Sequence, residues 1–252
     1  MEALSRRTLR NEILLVLGVS LGASAVYALL ELVRSLTAAK PLNQQTQTLV
    51  QSAAPGRPWL DLAFQLAYVG FGLVPALLAI HLLHRDHDLP GVVLGLMPRR
   101  PGFDLGAGAA LAAFIGIPGL ALYVAARHLG VNVTVVPSAL PPAWWAVPVL
   151  VLAAIQNAVL EEVVVVGYLA SRLRQLGWGI PVIVATSAVL RGSYHLYQGF
   201  GGFLGNAAMG VVFALFFVRY RRVGPLVLAH AFLDVVAFVG YALFAGHLSF
   251  LR

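Results

Sequence analysis

Apolar residues run along this chain in stretches long enough to cross a lipid bilayer. A helix of about 20 apolar residues spans the hydrocarbon core, and polar residues gather between seven stretches of about that length. They lie near residues 12–34, 60–83, 104–127, 143–171, 179–198, 201–219 and 225–245. The pattern predicts an all-α, polytopic transmembrane helix bundle of about seven spans, with eight as the alternative count.

The segments between the spans show no repeat and no low-complexity tail. The Gln-rich stretch from Asn43 to Gln51 precedes Pro55, Gly56 and Pro58, a composition that indicates an external loop. We interpret the chain as one integral membrane domain with two parts. Residues 1–142 hold helices 1–3 and their loops, and residues 143–252 hold the helices that carry the candidate chemistry.

Composition narrows the function classes. The chain is 60% hydrophobic and only 11% charged, whereas soluble domains carry about 25% charged residues. It contains no cysteine, which excludes a thiolate nucleophile and a thiolate metal site. Its lysine, Lys40, lies in a loop, which excludes a retinal Schiff base within the bundle. The net charge of +7 comes mostly from arginines at the ends of apolar runs; these indicate topology and contacts with anionic lipid, and we expect no nucleic-acid partner.

The basic residues also predict the orientation, because cytoplasmic loops are enriched in Lys and Arg. One side carries eleven: Arg6, Arg7, Arg10, Arg85, Arg99, Arg100, Arg172, Arg174, Arg219, Arg221 and Arg222. The other side carries five: Arg34, Lys40, Arg57, Arg127 and Arg252. We therefore expect a protein of the cell membrane with a cytoplasmic N-terminus. Arg191 falls inside a span and belongs to neither side.

Six ionisable residues lie well inside the C-terminal spans: Glu161, Glu162, Arg191, His195, His230 and Asp234. A charge at the bilayer centre costs about 2.5–3.5 kcal/mol even on the lenient insertion scale, so such residues usually face a bundle interior or a wet cavity. Three pairs are spaced four residues apart and so share a helix face. These pairs are Asn157 with Glu161, Arg191 with His195, and His230 with Asp234.

The turn at residues 176–179 makes the fourth and fifth spans an antiparallel hairpin. Counted from its centre, Glu161 and His195 stand at nearly the same height. Glu161 and Glu162 point about 100° apart on a helix, so one is a candidate for direct chemistry and the other for support. We expect Glu161, His195 and His230 to converge on a polar cavity that opens toward the basic, cytoplasmic side.

Read in order, these residues resemble the motifs of the CPBP family, which comprises type II CAAX prenyl endopeptidases with their bacteriocin-processing and abortive-infection relatives. The family pattern is Glu-Glu-x-x-x-Arg, then Phe-x-x-x-His, then His-x-x-x-Asn or Asp. Here the motifs begin at Glu161, Arg191 and His230, within residues 143–245. Two positions depart: Val166 stands where the family has Arg, and Arg191 where it has Phe.

The resemblance implies an intramembrane endopeptidase that acts on membrane-associated peptides or proteins. Glu161 would be the general base, Glu162 its support, and His195 its partner or a metal ligand. His230 and Asp234 would bind the oxyanion or complete a metal site, with Asn157 and Arg191 in supporting positions. Two histidines and a glutamate form an accepted zinc set, so Zn²⁺ held by Glu161, His195 and His230 stays an open alternative to a metal-free mechanism.

Two other functions stay open. The departures at Val166 and Arg191 suit a catalytically silent scaffold that binds a partner membrane or cell-wall enzyme, and the intramembrane charges could form the relay of a proton-coupled transporter. The departures also predict a swap, in which Arg191 supplies the guanidinium missing at position 166. Since a lone buried guanidinium is costly, Arg191 should pair with a carboxylate across the hairpin, with Glu162 the nearest candidate.

Overall fold

Helices make up most of the described protein, which in this computed structural model comprises residues 4–85 and 100–244. The helices are α1 (Arg6–Gly18), α2 (Leu21–Leu36), α3 (Pro58–Gly72), α4 (Val74–Arg85), α5 (Pro101–His128), α6 (Ala146–Glu161), α7 (Leu169–Gln175), α8 (Ile180–Ser193), α9 (Phe200–Tyr220) and α10 (Gly224–Phe244). A π-helical segment, Glu162–Tyr168, joins α6 to α7. A 3₁₀ turn, Leu196–Gln198, joins α8 to α9.

The predicted all-α polytopic bundle is confirmed. Within the described ranges, five stretches are long and apolar enough to cross a membrane: Pro58–Arg85, Pro101–His128, Ala146–Gln175, Phe200–Tyr220 and Gly224–Leu243. The pair α1 and α2, bent by 50°, counts as a sixth if it is one span. The remaining predicted stretch, 179–198, contains α8, which is apolar but only 14 residues long.

The helices pack around one central stretch, Ala146–Gln175. In the most apolar part of this stretch 56% of the residues are buried, compared with 6% in the corresponding part of Pro101–His128. The peripheral helices expose large apolar side chains such as Tyr27, Phe71 and Ile117, each more than 70% accessible. Such exposure is expected when lipid, rather than water, surrounds the bundle. The element that carries the two glutamates therefore lies inside the bundle.

A small parallel sheet closes one end of the bundle. Strand β1 (Thr46–Gln51) pairs with β2 (Thr134–Ala139) in a register that runs from Thr46 opposite Thr134 to Gln51 opposite Ala139. The prediction of a loop from Asn43 to Gln51 is wrong for these six residues. Gln-rich composition hid the β-branched residues Thr46, Thr48 and Val50, which suit a strand. The pairing partner, β2, lies more than 80 residues away, so local pattern could not reveal it.

The opposite end of the bundle gathers basic residues into ion pairs. Glu12 of α1 pairs with both Arg85 and Arg172, and Arg222 donates to Asp104 at 2.7 Å. Arg172 is fully buried and also donates to the backbone carbonyl of Leu82 at 2.9 Å. It therefore ties helices together within the protein, where the sequence had counted it as an interfacial charge. Arg99 and Arg252, also used in the orientation count, lie outside the described residues.

Candidate active site

The two adjacent glutamates lie where the central helix changes from α to π geometry. Glu161 ends α6, and Glu162 begins the π-helical segment. Both side chains are buried, Glu162 completely. π-Helical segments inside helices are rare and occur often at functional sites. Although a step of one residue turns the two side chains apart, oxygens of both carboxylates lie within 4.8 Å of a ring nitrogen of His230 and of each other.

Arg191 binds both glutamates from α8. Its Nη1 atom donates to Oε2 of Glu161 at 3.3 Å, and its Nη2 atom donates to Oε1 of Glu162. The Arg191 side chain is fully buried, with its guanidinium 5.4 Å from the ring centroid of Phe213. The predicted pairing of Arg191 with Glu162 across the hairpin is confirmed, and Glu161 shares it. One guanidinium thus opposes two buried carboxylates.

Tyr194 and His195 bring the end of α8 to Glu161. The hydroxyl of Tyr194 donates to Oε2 of Glu161 at 2.9 Å, and Nε2 of His195 lies 3.8 Å from the same oxygen. This proximity confirms the height match predicted from the hairpin. Nδ1 of His195 lies 3.3 Å from the amide nitrogen of Gln198, which can only donate. The acceptor form of Nδ1 leaves the proton on Nε2, and Nε2 is buried without a hydrogen-bond partner among the described residues.

His230 approaches the glutamates from α10. Its Nδ1 atom lies 2.7 Å from Oε1 of Glu162, and its Nε2 atom lies 3.6 Å from Oδ2 of Asp234, one turn later on the same helix. Oε2 of Glu162 is buried and has no hydrogen-bond partner within the described chain. The five residues predicted to do chemistry, Glu161, Glu162, His195, His230 and Asp234, therefore form one continuous set of contacts together with Arg191.

A cleft of about 290 Å³ begins one helical turn from Glu161. It is lined by Gln47, Thr48, Leu49, Val50, Asn157, Tyr197 and Phe238. Asn157 shares a helix face with Glu161, and the ring of Tyr197 lies 6.1 Å from that of His195. The cleft lies against β1, at the end of the bundle away from α1 and its basic cluster. An opening toward the basic side was predicted from the sequence, whereas this cleft lies at the other end of the bundle.

The residues offer the donor types that a divalent cation binds, but the Arg191 guanidinium already lies among them. Glu161, Glu162 and His230 offer two carboxylate oxygens and a ring nitrogen within 4.8 Å of one another. His195, which the sequence placed in the zinc set, is not a member of this group, although its Nε2 atom lies 3.8 Å from Oε2 of Glu161. Arg191 already places a positive charge against both carboxylates, so a cation bound there would have to displace a guanidinium or tolerate its repulsion.

One residue of this site, Tyr194, is not among those predicted from the sequence. Its buried hydroxyl nevertheless contacts Glu161. Its position beside His195 was the available signal. Gln198, which fixes the tautomer of His195, was not singled out, because a lone glutamine in a turn carries no pattern. Its contact arises only when the 3₁₀ turn at Leu196–Gln198 folds it back on the histidine.

Comparison with known proteins supports the family suggested by the motifs. No curated protein and no solved structure gives a match to this chain. Residues 143–236 match the family model described as Type II CAAX prenyl endopeptidase Rce1-like. The matched segment covers somewhat more than a third of the chain, from the start of the central helix to just beyond Asp234, and so includes the whole cluster. Residues 143–236 are thus similar to the type II CAAX prenyl endopeptidase Rce1-like family, which supports the resemblance to the CPBP family.

Proposed function

We propose that this protein is an intramembrane endopeptidase in which Glu161 activates the hydrolytic water. The observation that carries the proposal is the gap between Glu161 and His195. Oε2 of Glu161 and Nε2 of His195 are 3.8 Å apart, too far for a direct hydrogen bond and suited to a water or a substrate oxygen that contacts both. A base on one side and an N–H donor on the other are the two groups that amide hydrolysis requires.

The proposed reaction assigns one role to each group. Glu161 accepts a proton from water as the water attacks the scissile carbonyl carbon. The Nε2–H group of His195 donates to the carbonyl oxygen as it becomes an oxyanion, and the protonated Glu161 then delivers its proton to the leaving amine. Tyr194 and Arg191 hold Glu161 in place, while the buried Glu162 and His230 and the half-buried Asp234 form the network behind it. No step in this scheme requires a metal ion.

Removal of the base alone tests the proposal. Cells that express the wild type should show new peptide termini in membrane-associated proteins, detected by mass spectrometry, and Glu161→Gln should abolish them because it keeps the shape and loses the basicity. Glu31→Gln is the matched control, since Glu31 is also paired with an arginine, Arg34, but lies on α2 outside the site. An active Glu161→Gln protein would transfer the role to Glu162, and activity in both single variants would end the proposal.

Two measurements on purified protein test whether the reaction depends on a metal ion. Purified wild-type protein should contain no stoichiometric zinc by elemental analysis, and chelation should leave its cleavage rate unchanged. Stoichiometric zinc that is lost together with activity would instead support the zinc alternative of the sequence argument.

One observation favours a second candidate, the catalytically silent scaffold. Arg191 engages both glutamates, at a position where the related motif has an apolar residue, and a guanidinium beside a general base weakens it. Under this function, wild-type cells would show no new termini relative to Glu161→Gln cells. A bound partner enzyme would be recovered equally with both proteins.

A further inference from the structure

Strand β1 has one edge that pairs with no strand among the described residues, and β1 lines the cleft that begins one turn from Glu161. The N–H group of Thr134 in β2 donates to the carbonyl of Gln45 at 2.9 Å. With the observed parallel register, this bond turns the backbone groups of Gln47 and Leu49 toward β2. The backbone N–H and C=O groups of Thr46, Thr48 and Val50 therefore point away from β2, because successive residues of a strand alternate in direction.

The outer edge of β2 is closed, in contrast to that of β1. The N–H group of Val135, which points away from β1, donates to the hydroxyl of Tyr123 at 3.0 Å. Pro137, the next outward-facing residue, has no N–H group to offer. For Thr48 and Val50, the described residues supply no hydrogen bond to the outward backbone groups. A further strand could therefore pair with β1 but not with β2.

The free edge of β1 lies at the cleft, and residues next to the active-site cluster line the same cleft. Gln47, Thr48, Leu49 and Val50 line it, whereas no residue of β2 does so. Across the cleft stand Asn157, one turn before Glu161, and Tyr197, whose ring packs near that of His195. The side-chain amide of Asn157 makes no hydrogen bond within the described chain. None of the lining residues is charged, so the cleft offers hydrogen-bonding groups and apolar surface.

We propose that an extended segment of the peptide substrate binds as a third strand along the free edge of β1, which positions its scissile bond at Glu161. This inference rests on the proposed protease function. A peptide is the expected ligand because the free edge of β1 presents alternating N–H and C=O groups. The backbone of an extended peptide carries the complementary groups, as few other ligands do. An extended substrate also presents its carbonyl groups free of helical hydrogen bonds. In that geometry the peptide backbone supplies affinity, and side-chain contacts in the cleft supply selectivity.

A backbone-methylation experiment tests the pairing directly. The protein is full-length Glu161→Gln in lipid nanodiscs, and the probe is a fluorescent hexapeptide of alternating valine and serine, with blocked ends. Two versions carry N-methyl groups on alternate residues, one set on the odd positions and one on the even positions. Because only one edge of the peptide faces β1, one version should lose affinity by about tenfold or more and the other by less than about twofold. Fluorescence anisotropy measures both.

A pair of protein variants gives an independent check. Thr48→Pro removes an outward N–H group inside the cleft without removing a bond to β2, and should weaken probe binding by about tenfold. Thr46→Pro removes the equivalent group outside the cleft and should bind as the parent does. Equal affinity of the two methylated probes, absence of saturable binding, or unchanged binding by Thr48→Pro would each overturn the inference. The proposed function is judged separately, by the new termini that Glu161→Gln abolishes.

Discussion

At the residue scale, Arg191 is the side chain on which the others depend. It is fully buried and is the cation shared by Glu161 and Glu162. A buried carboxylate that loses its partner is left as an uncompensated charge, which costs far more than the pair contributed. A cation beside the two glutamates therefore stabilises them where they lie side by side in an apolar helix, and Arg191 supplies it.

Replacement of Arg191 should consequently destabilise the protein. We expect Arg191→Leu to lower the free energy of unfolding by about 3–5 kcal/mol, the usual loss when one partner of a buried ion pair is removed. Thermal unfolding in detergent would measure the change.

The swap between positions 166 and 191 can be tested in the same way. If Arg191 replaces the family arginine, the double variant Val166→Arg with Arg191→Phe should recover much of the stability that Arg191→Phe alone loses. A double variant no more stable than the single one would refute the swap.

Tyr194 should affect catalysis more than stability. Tyr194→Phe removes the hydrogen bond to Glu161 and little else, so we expect cleavage to fall by about tenfold to a hundredfold, in keeping with a hydrogen bond to a charged group. The melting temperature should change little. Tyr68→Phe, on the exposed face of α3, is the control. Unchanged cleavage by Tyr194→Phe would mean that Glu161 is positioned without it.

At the element scale, the turn between α8 and α9 places His195 at the site. Gly199 adopts φ +106°, a conformation that residues with a side chain rarely adopt. A Cβ atom there would lie 2.5 Å from the carbonyl oxygen of Val131 and 2.8 Å from Cα of Asn132. The N–H group of Phe200 donates to the same carbonyl at 3.0 Å. The turn is thus fastened to the segment that leads into β2.

Substitution at this turn should be costly. We expect Gly199→Ala to destabilise the protein by at least about 1–3 kcal/mol from backbone strain alone, with the steric clash in addition. Gly119→Ala is the matched control, because its Cβ would meet no atom within 4 Å and lies in a helix. Unfolding temperatures compare the two. A Gly199→Ala protein as stable as Gly119→Ala would show that the turn relaxes freely.

At the scale of the whole molecule, the sheet and the N-terminal basic cluster lie at opposite ends of the bundle. The α1 end contains the Glu12 pairs with Arg85 and Arg172. The other end contains β1, β2 and the cleft. We propose, from the arginine count, that the α1 end faces the cytoplasm. The cleft would then face the outer side of the membrane.

The absence of cysteine allows this orientation to be measured cleanly. Ser5→Cys and Gln44→Cys each introduce one thiol, at opposite ends of the bundle, into a chain that has none. In intact cells a membrane-impermeant maleimide should label Gln44→Cys, and should label Ser5→Cys only after the membrane is permeabilised. The reverse pattern would invert the orientation and place the cleft on the cytoplasmic side.

Local properties of the sequence were sufficient to predict that lipid surrounds the protein, that it is a bundle of helices, and which residues form the candidate site. Long apolar stretches can form only helices in lipid, because every backbone group must be satisfied within the segment. Charges in such stretches are costly enough to mark function, which is how Glu161, Glu162, Arg191, His195, His230 and Asp234 were found. Hairpin geometry, a local property, was sufficient to bring Glu161 and His195 to one height.

The pairing of these groups and the cleft beside them depend on how distant parts of the chain pack together. Glu161 and Glu162 are adjacent in sequence, but they contact different partners. Glu161 accepts from Tyr194, whereas Glu162 lies against His230. These contacts depend on the π-helical segment and on the packing of α6 against α8 and α10. The sheet joins strands more than 80 residues apart, a pairing that no local pattern encodes. Because the cleft exists only where β1 meets α6 and α10, its location came from the fold and could not come from the sequence.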